Sequence, residues 1–255
     1  MLFRSISARV SVTVDGEAAE SARAEMLALF PEGFEEAERG AEFELSAYTD
    51  AGGEARMSAV FGAVAAKDVP ADWEERWKHF HRPVRAGSLW IVPPWEQASE
   101  GDSITIDPGR AFGTGAHPTT RLCLELVSEL ELGSLLDVGC GSGVLAIAAA
   151  KLGFAPVIAV DSDPHAVEAA ETNAAANGFE LDFRCADARV DPLPEADVAV
   201  ANISEQLVAA VGPRLKCGLL VTSGYFEPHV PRVTGFRAIG RRRLDGWAAD
   251  LHARE

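Results

Sequence analysis

Residues 135–153 read LLDVGCGSGVLAIAAAKLG, and the fold turns on how that stretch is interpreted. LLDV is a short apolar run of strand type. It breaks into Gly139, Gly141 and Gly143, and an alanine-rich helical stretch follows at once. Glycine is needed where a backbone turns sharply and admits a ligand with no Cβ in the way. In an open α/β sheet such a turn lies beyond the carboxyl ends of the strands, near the point where strand order reverses, and ligands bind there.

Two kinds of ligand use turns of this form. The dinucleotide fingerprint is G-x-G-x-x-G, with a pyrophosphate resting on the helix N-terminus. Here the spacing is G-x-G-x-G, and Asp137 stands two residues before Gly139. A carboxylate at that place repels a diphosphate and attracts an ammonium group. S-adenosyl-L-methionine carries an ammonium and a sulfonium and no phosphate, so charge favours it over a nicotinamide dinucleotide. Asp161 ends the next apolar run, PVIAVD, where an acid accepts ribose hydroxyls from either ligand. Asp187 follows the third run, within reach of an adenine amino group, and Asn202 ends the fourth, ADVAVAN, beside the glycine turn. For any one of these acids alone, helix capping or a solvated position is the better explanation. The set at successive strand tips speaks for a cofactor.

From residue 103 onward short apolar runs alternate with helical patterns, which predicts a parallel sheet covered on both faces. Helices are expected over 142–152, 164–178, 204–214 and 226–234, and a closing hairpin from Phe236 to Leu251. Upstream, ISARVSVTV alternates apolar and polar residues, and the pattern strand–helix–strand–strand–helix–strand over 1–69 predicts a small ferredoxin-like α+β domain. Residues 70–102, with Trp73 and Trp77 on one face of a charged helix, are expected to form a connector helix and linker, and 103–255 the catalytic domain.

The charge of −16 disfavours direct binding to nucleic acid and suits a basic protein partner. Cys123, Cys140, Cys185 and Cys217 are scattered, without the spacing of a disulfide framework or a zinc site, which points to a reducing cytoplasm and no metal. No run of 18 apolar residues occurs, so no membrane span is expected. A monomer is the expectation.

D-x-G-x-G-x-G with acids after the next two strands resembles the class I S-adenosylmethionine-dependent methyltransferases. IDPGRAFGTGAHPTTRLCLELV (106–127), together with DWEERW, LWIVPPW and VANI, resembles the PrmA family more particularly. The likeness covers about residues 70–250; the N-terminal residues share only the family's element pattern. The resemblance implies a doubly wound, Rossmann-like, seven-stranded sheet and transfer of methyl groups to lysine or N-terminal amines. The acceptor implied is a ribosomal protein of the large-subunit stalk base (number eleven), free or on the ribosome. It implies cofactor contacts at Thr120, Gly139, Asp161 and Asn202, with Gly141, Phe112, Gly113, Thr114 and Gly115 lining the same pocket. Asp137, Gly143 and Asp187 complete the set read from the residues themselves, and backbone carbonyls around Asn202 and Ile203 would orient the amine. Thr120 also suits the N-cap of the helix RLCLELVSEL. His117 invites a general-base role, against which stands a structural hydrogen bond in the turn. Competing functions are a lysine methyltransferase for another protein, a small-molecule methyltransferase, a nicotinamide-dependent oxidoreductase and a non-catalytic binding module.

Overall fold

The computed structural model describes residues 8–16, 18–30, 34–49, 52–68, 81–98, 100–107 and 115–255. The chain divides into two compact units, Met1–Phe80 and His81–Glu255. The expected connector helix with Trp73 and Trp77 lies outside the described residues.

The first unit contains β1 (Ala8–Asp15), α1 (Ala19–Leu29), β2 (Glu35–Arg39), β3 (Glu42–Thr49), α2 (Gly53–Phe61) and β4 (Ala65–Asp68). Its sheet has the order β2-β3-β1-β4, and every pair is antiparallel. Alternation along β1 sends Val10 and Val12 to one face, where Leu45 and Ala47 of β3 join Ala22, Met26, Phe30 and Met57 in the core. On the opposite face Arg9 bonds Glu44 and Ser46, while Arg23 of α1 grips Glu36 of β2 through two hydrogen bonds of 2.6 and 2.7 Å.

The second unit opens with β5 (Val84–Ala86), β6 (Leu89–Val92) and β7 (Ser103–Thr105), a three-stranded sheet in that order. Residues 84–86 and 89–92 of the expected linker are therefore strand, turned at Gly87 with φ +59°. Leu89, Ile91 and Ile104 are buried in the core of this unit.

The larger sheet contains β8 (Leu135–Val138), β9 (Val157–Asp161), β10 (Asp182–Cys185), β11 (Val198–Asn202), β12 (Leu219–Phe226), β13 (Phe236–Leu244) and β14 (Trp247–Arg254). Seven strands run in the order β10-β9-β8-β11-β12-β14-β13. The five from β10 to β12 are parallel; the last two are antiparallel. The chain moves outward from β8 to β10 and then crosses back to β11, so strand order reverses between β8 and β11. Four helices connect these strands or precede them: α3 (Pro118–Val127), α4 (Val144–Leu152), α5 (Pro164–Ala176) and α6 (Glu205–Val211).

Alternate residues of the central strands feed two cores. Leu135, Val157, Ala159, Val198 and Val200 pack with α3, α4 and α5, while Leu136, Val138, Val160, Ala199 and Ala201 pack with Val208 and Val211 of α6. Both faces are covered, which is why these strands read as continuous apolar runs. α4 starts at Val144 because Gly143 adopts φ +77°. α5 is capped by Asp163, whose side chain accepts the His165 N–H at 2.8 Å, with Pro164 in the first turn.

The helix expected over 226–234 is absent. β12 runs to Phe226 and a turn follows, because Pro228 and Pro231 lack the N–H groups that a helix through EPHVPRVTG needs. The hairpin β13–β14 does form and reaches Arg254, around Asp245 (φ +51°) and Gly246 (φ +80°). Among the described residues no helix is long and apolar enough to cross a membrane.

Candidate functional site

Val138 ends β8, and the backbone then turns through Gly139, Gly141 and Gly143, all at positive φ. The loop is held from below. Gly139 N–H donates to Val160 O at 2.8 Å and Gly143 N–H to Cys140 O at 2.8 Å. Close approach explains two of these glycines: a Cβ at Gly139 would sit 2.5 Å from Ile203 Cγ2, and one at Gly143 would sit 2.8 Å from Ala170 Cβ.

Asp161 ends β9 and organises the same loop. Its Oδ2 accepts the Gly141 N–H at 2.9 Å and its Oδ1 accepts the Asp163 N–H at 3.0 Å. Each oxygen keeps a further lone pair for a ligand hydroxyl. Asp137 lies fully buried under the loop. Its Oδ2 accepts the Ala146 N–H at 3.1 Å, from the first turn of α4. Its Oδ1 has no donor among the described residues. Burial pushes this carboxyl up to about 7, the Ala146 bond opposes the shift, and the Asp161 charge adds to it.

Asn202 ends β11, the strand next to β8. Its Nδ2 donates to Thr120 Oγ1 at 3.4 Å, and its Oδ1 is buried with no donor among the described residues. Ile203 lies between Gly139 and Gly224, and its N–H donates to Ser223 O at 3.1 Å.

Thr120 is not the cap of α3. The cap is His117, whose Nδ1 accepts the Thr119 N–H at 3.3 Å, with Pro118 in the first turn. Thr120 sits inside that first turn, completely buried, and meets Asn202 instead. The His117 ring packs edge-on to Trp247 at 4.7 Å, and burial lowers its pKa. Gly115 takes φ +80° against Ile91; Phe112, Gly113 and Thr114 lie outside the described residues. Asp187 does follow β10, but Arg189 hydrogen bonds engage both its oxygens and hold its carboxyl at about 2.

Asn173 of α5 was not singled out from the sequence. Buried, it donates to Ser142 O at 3.0 Å and accepts the Asp107 N–H at 3.0 Å, so it ties the glycine loop to the segment after β7. The signal was an amide facing inward, four residues before Asn177, on an otherwise alanine-lined helix face. Replacing Asn173 by Ala removes both bonds. The expected loss is about 2 kcal/mol of stability, read by chemical denaturation, with weaker cofactor binding.

The thread Asp137–Gly139–Asn202 thus lies where the strand order reverses, the ligand position of Rossmann-like α/β proteins, and that is the class to which the second unit belongs. Within it, the chain belongs to the ribosomal protein L11 methyltransferase (PrmA) family, whose profile matches residues 7–235. The ribosomal protein L11 methyltransferase of Symbiobacterium thermophilum is 44% identical over 197 residues, which is 71% of this chain and 65% of the relative. That of Pseudomonas paraeruginosa is 41% identical over 202 residues, 68% of this chain and 69% of the relative. The crystal structure of a ribosomal protein L11 methylase from Lactobacillus delbrueckii subsp. bulgaricus superimposes with a TM-score of 0.59 at 30% identity, over 68% of this chain and 98% of that one. The chain therefore spans about two thirds of the length of these curated relatives.

Proposed function

We propose that this chain is an S-adenosyl-L-methionine-dependent methyltransferase with the seven-stranded sheet of class I, acting on amino groups of ribosomal protein L11. One observation carries the cofactor assignment. A buried acceptor, Asp137 Oδ1, lies two residues before Gly139 without a donor among the described residues, and a second acid, Asp161, bonds the same loop. Such a place suits a cationic, donor-rich ligand and is hostile to a diphosphate. Asp161 at the tip of β9 suits the ribose hydroxyls. Phe112, Gly113 and Thr114 belong to the same pocket in this reading, and Asp187 to its adenine end.

When bound, the cofactor supplies a methyl group on a positively charged sulfur. The work of the protein is to present a neutral amine in line with it, a matter of proximity and orientation. With a pKa of about 10.4, only roughly one lysine in a thousand is neutral near pH 7.4. Desolvation beside the loop raises that fraction. Thr120 Oγ1 takes the Asn202 amide nitrogen, which leaves Asn202 Oδ1 as the face that accepts an amine N–H. Ile203 fixes the height of that tip. His117 Nδ1 is engaged as the helix cap, and in this reading the amine enters neutral and its proton leaves to water after the transfer.

The family and its named relatives support L11 as the acceptor, and the charge of −16 suits a basic acceptor protein. Residues 1–69 form the recognition domain in this reading and 103–255 the catalytic domain of a cytoplasmic monomer, with β5 and β6 of the expected connector 70–102 pairing onto β7 of the latter. Incubation with labelled S-adenosyl-L-methionine and purified large-subunit ribosomal proteins is the test. Intact masses should show whole methyl increments on L11 and on no other protein; label found only in a small molecule would rule the reading out.

A further inference from the structure

Behind the site, β12 and β14 enclose a polar chain that the chemistry above does not use. Thr222, Tyr225, Asp250 and His252 are each at most 4% exposed. Tyr225 OH donates to Asp250 Oδ2 at 2.8 Å. The Thr222 carbonyl oxygen, 3.1 Å away, is a second acceptor for the same proton, so the 2.7 Å contact between Thr222 Oγ1 and Tyr225 OH has Thr222 as its donor. Thr222 Oγ1 in turn accepts from His252 Nε2 at 2.9 Å. The chain therefore has one direction: His252 Nε2–H to Thr222, Thr222 to Tyr225, Tyr225 to Asp250. It requires the Nε2–H tautomer of His252; burial favours the neutral imidazole, and the Asp250 charge opposes that shift.

Geometry connects this chain to the site. Residues three apart on a regular strand face opposite ways, so Thr222 and Tyr225 should not meet. They meet because the β12–β14 register slips between Ser223 and Tyr225, which returns Tyr225 to the face of Thr222. The extra residue is Gly224, at φ +100°. Its Cα lies so close to the Ile203 peptide that a Cβ would fall on the Ile203 carbonyl oxygen and 2.6 Å from the carbonyl carbon. Ser223 O accepts the Ile203 N–H, and Ser223 pairs with Asn202 across the sheet. The bulge is thus the seat of the Asn202–Ile203 tip.

We infer that the chain His252–Thr222–Tyr225–Asp250 is a positioning device, which holds the Gly224 bulge and through it sets the depth at which Asn202 presents the acceptor amine. This rests on the methyltransferase reading, and the test separates the two. Tyr225→Phe removes the hydroxyl that closes the chain, and Thr222→Val removes its centre; Thr222→Ser keeps it. Tyr225→Phe and Thr222→Val should lower kcat at least about tenfold, with S-adenosyl-L-methionine affinity within about twofold of the parent, whereas Thr222→Ser restores kcat. An independent readout needs no turnover. In the parent protein the Ile203 amide should exchange with deuterium in step with those of Tyr225 and His252, and Tyr225→Phe should speed all three together. Unchanged kcat in folded Tyr225→Phe, or an Ile203 amide exchanging orders of magnitude faster than Tyr225 in the parent, overturns the inference. A parent protein that methylates no amine defeats the functional reading alone, and the exchange result still decides this one.

Discussion

Asp137→Asn should weaken S-adenosyl-L-methionine binding roughly 10- to 100-fold, the scale of one lost charge-assisted contact, while the ligand-free protein melts higher than the parent above pH 7. The two effects have one cause. Burial raises the Asp137 carboxyl to about 7, against 3.8 in an unfolded chain. Between those values the native state holds a proton that the unfolded state has released. The contribution of this group to stability is therefore complete below pH 3.8 and is lost as pH rises through 7. The loss is at most roughly 4 kcal/mol, from about three pK units at 1.36 kcal/mol each. Asparagine never ionises, and its carbonyl still accepts the Ala146 N–H, so its stability curve should be flatter between pH 5 and 8. Binding shows the opposite trend, because a cationic ligand stabilises the ionised carboxylate. Affinity of the parent should rise with pH up to about 7, and that dependence should vanish in the variant. Thermal midpoints across the pH range and calorimetric titration at each pH give both curves. Parallel melting curves would place the ionisation of Asp137 elsewhere, and equal affinities would remove it from the ligand.

The features legible in the sequence were those written in local periodicity. LLDV, VIAVD and VAVAN announced buried parallel strands because both faces of each are covered, and the glycines announced the turn that Asp161 and Val160 now hold. What escaped was of two kinds. Short strands such as Val84–Ala86 and Ser103–Thr105 offer three residues, too few to establish a period. Long-range pairing escaped as well. Nothing near Asn173 names Ser142 or Asp107 as its partners, and nothing near Thr222 names His252. The His117 cap was legible in principle, since a proline favours the first helical position and assigns the cap to the residue before it. The prolines at 228 and 231 likewise argued against a helix over 226–234. The inward burial of Asp137 was not legible, because its cost is set by the sheet and helix packed around it.

Gly224→Ala tests the other side of the site, and its expected effect is larger. A non-glycine residue at φ +100° carries backbone strain of roughly 1–3 kcal/mol. The added Cβ also falls on backbone rather than on a side chain that can swing away: the Ile203 carbonyl carbon would be 2.6 Å distant and its nitrogen 3.0 Å. Overpacking of that kind costs a further 1–3 kcal/mol or so. The strands cannot simply part, because Val198–Asn202 is paired residue by residue with Leu219–Ser223. The cheapest relief is to push the Ile203 tip towards Gly139, where Ile203 Cγ2 already occupies the place of a Cβ. Misplacement of an orienting group by an ångström costs on the order of a hundredfold in rate. Methyl transfer should therefore fall about a hundredfold or more, with a stability loss of about 2–6 kcal/mol by chemical denaturation. Gly178→Ala and Gly246→Ala separate strain from collision, since both glycines have positive φ, +74° and +80°, and no atom within 4 Å of a built Cβ. Those two should cost only about 1 kcal/mol each and leave the rate of methyl transfer intact. Were Gly224→Ala to behave like them, the Ile203 peptide would be free to retreat, and the tip of β11 would not owe its position to the bulge beneath it.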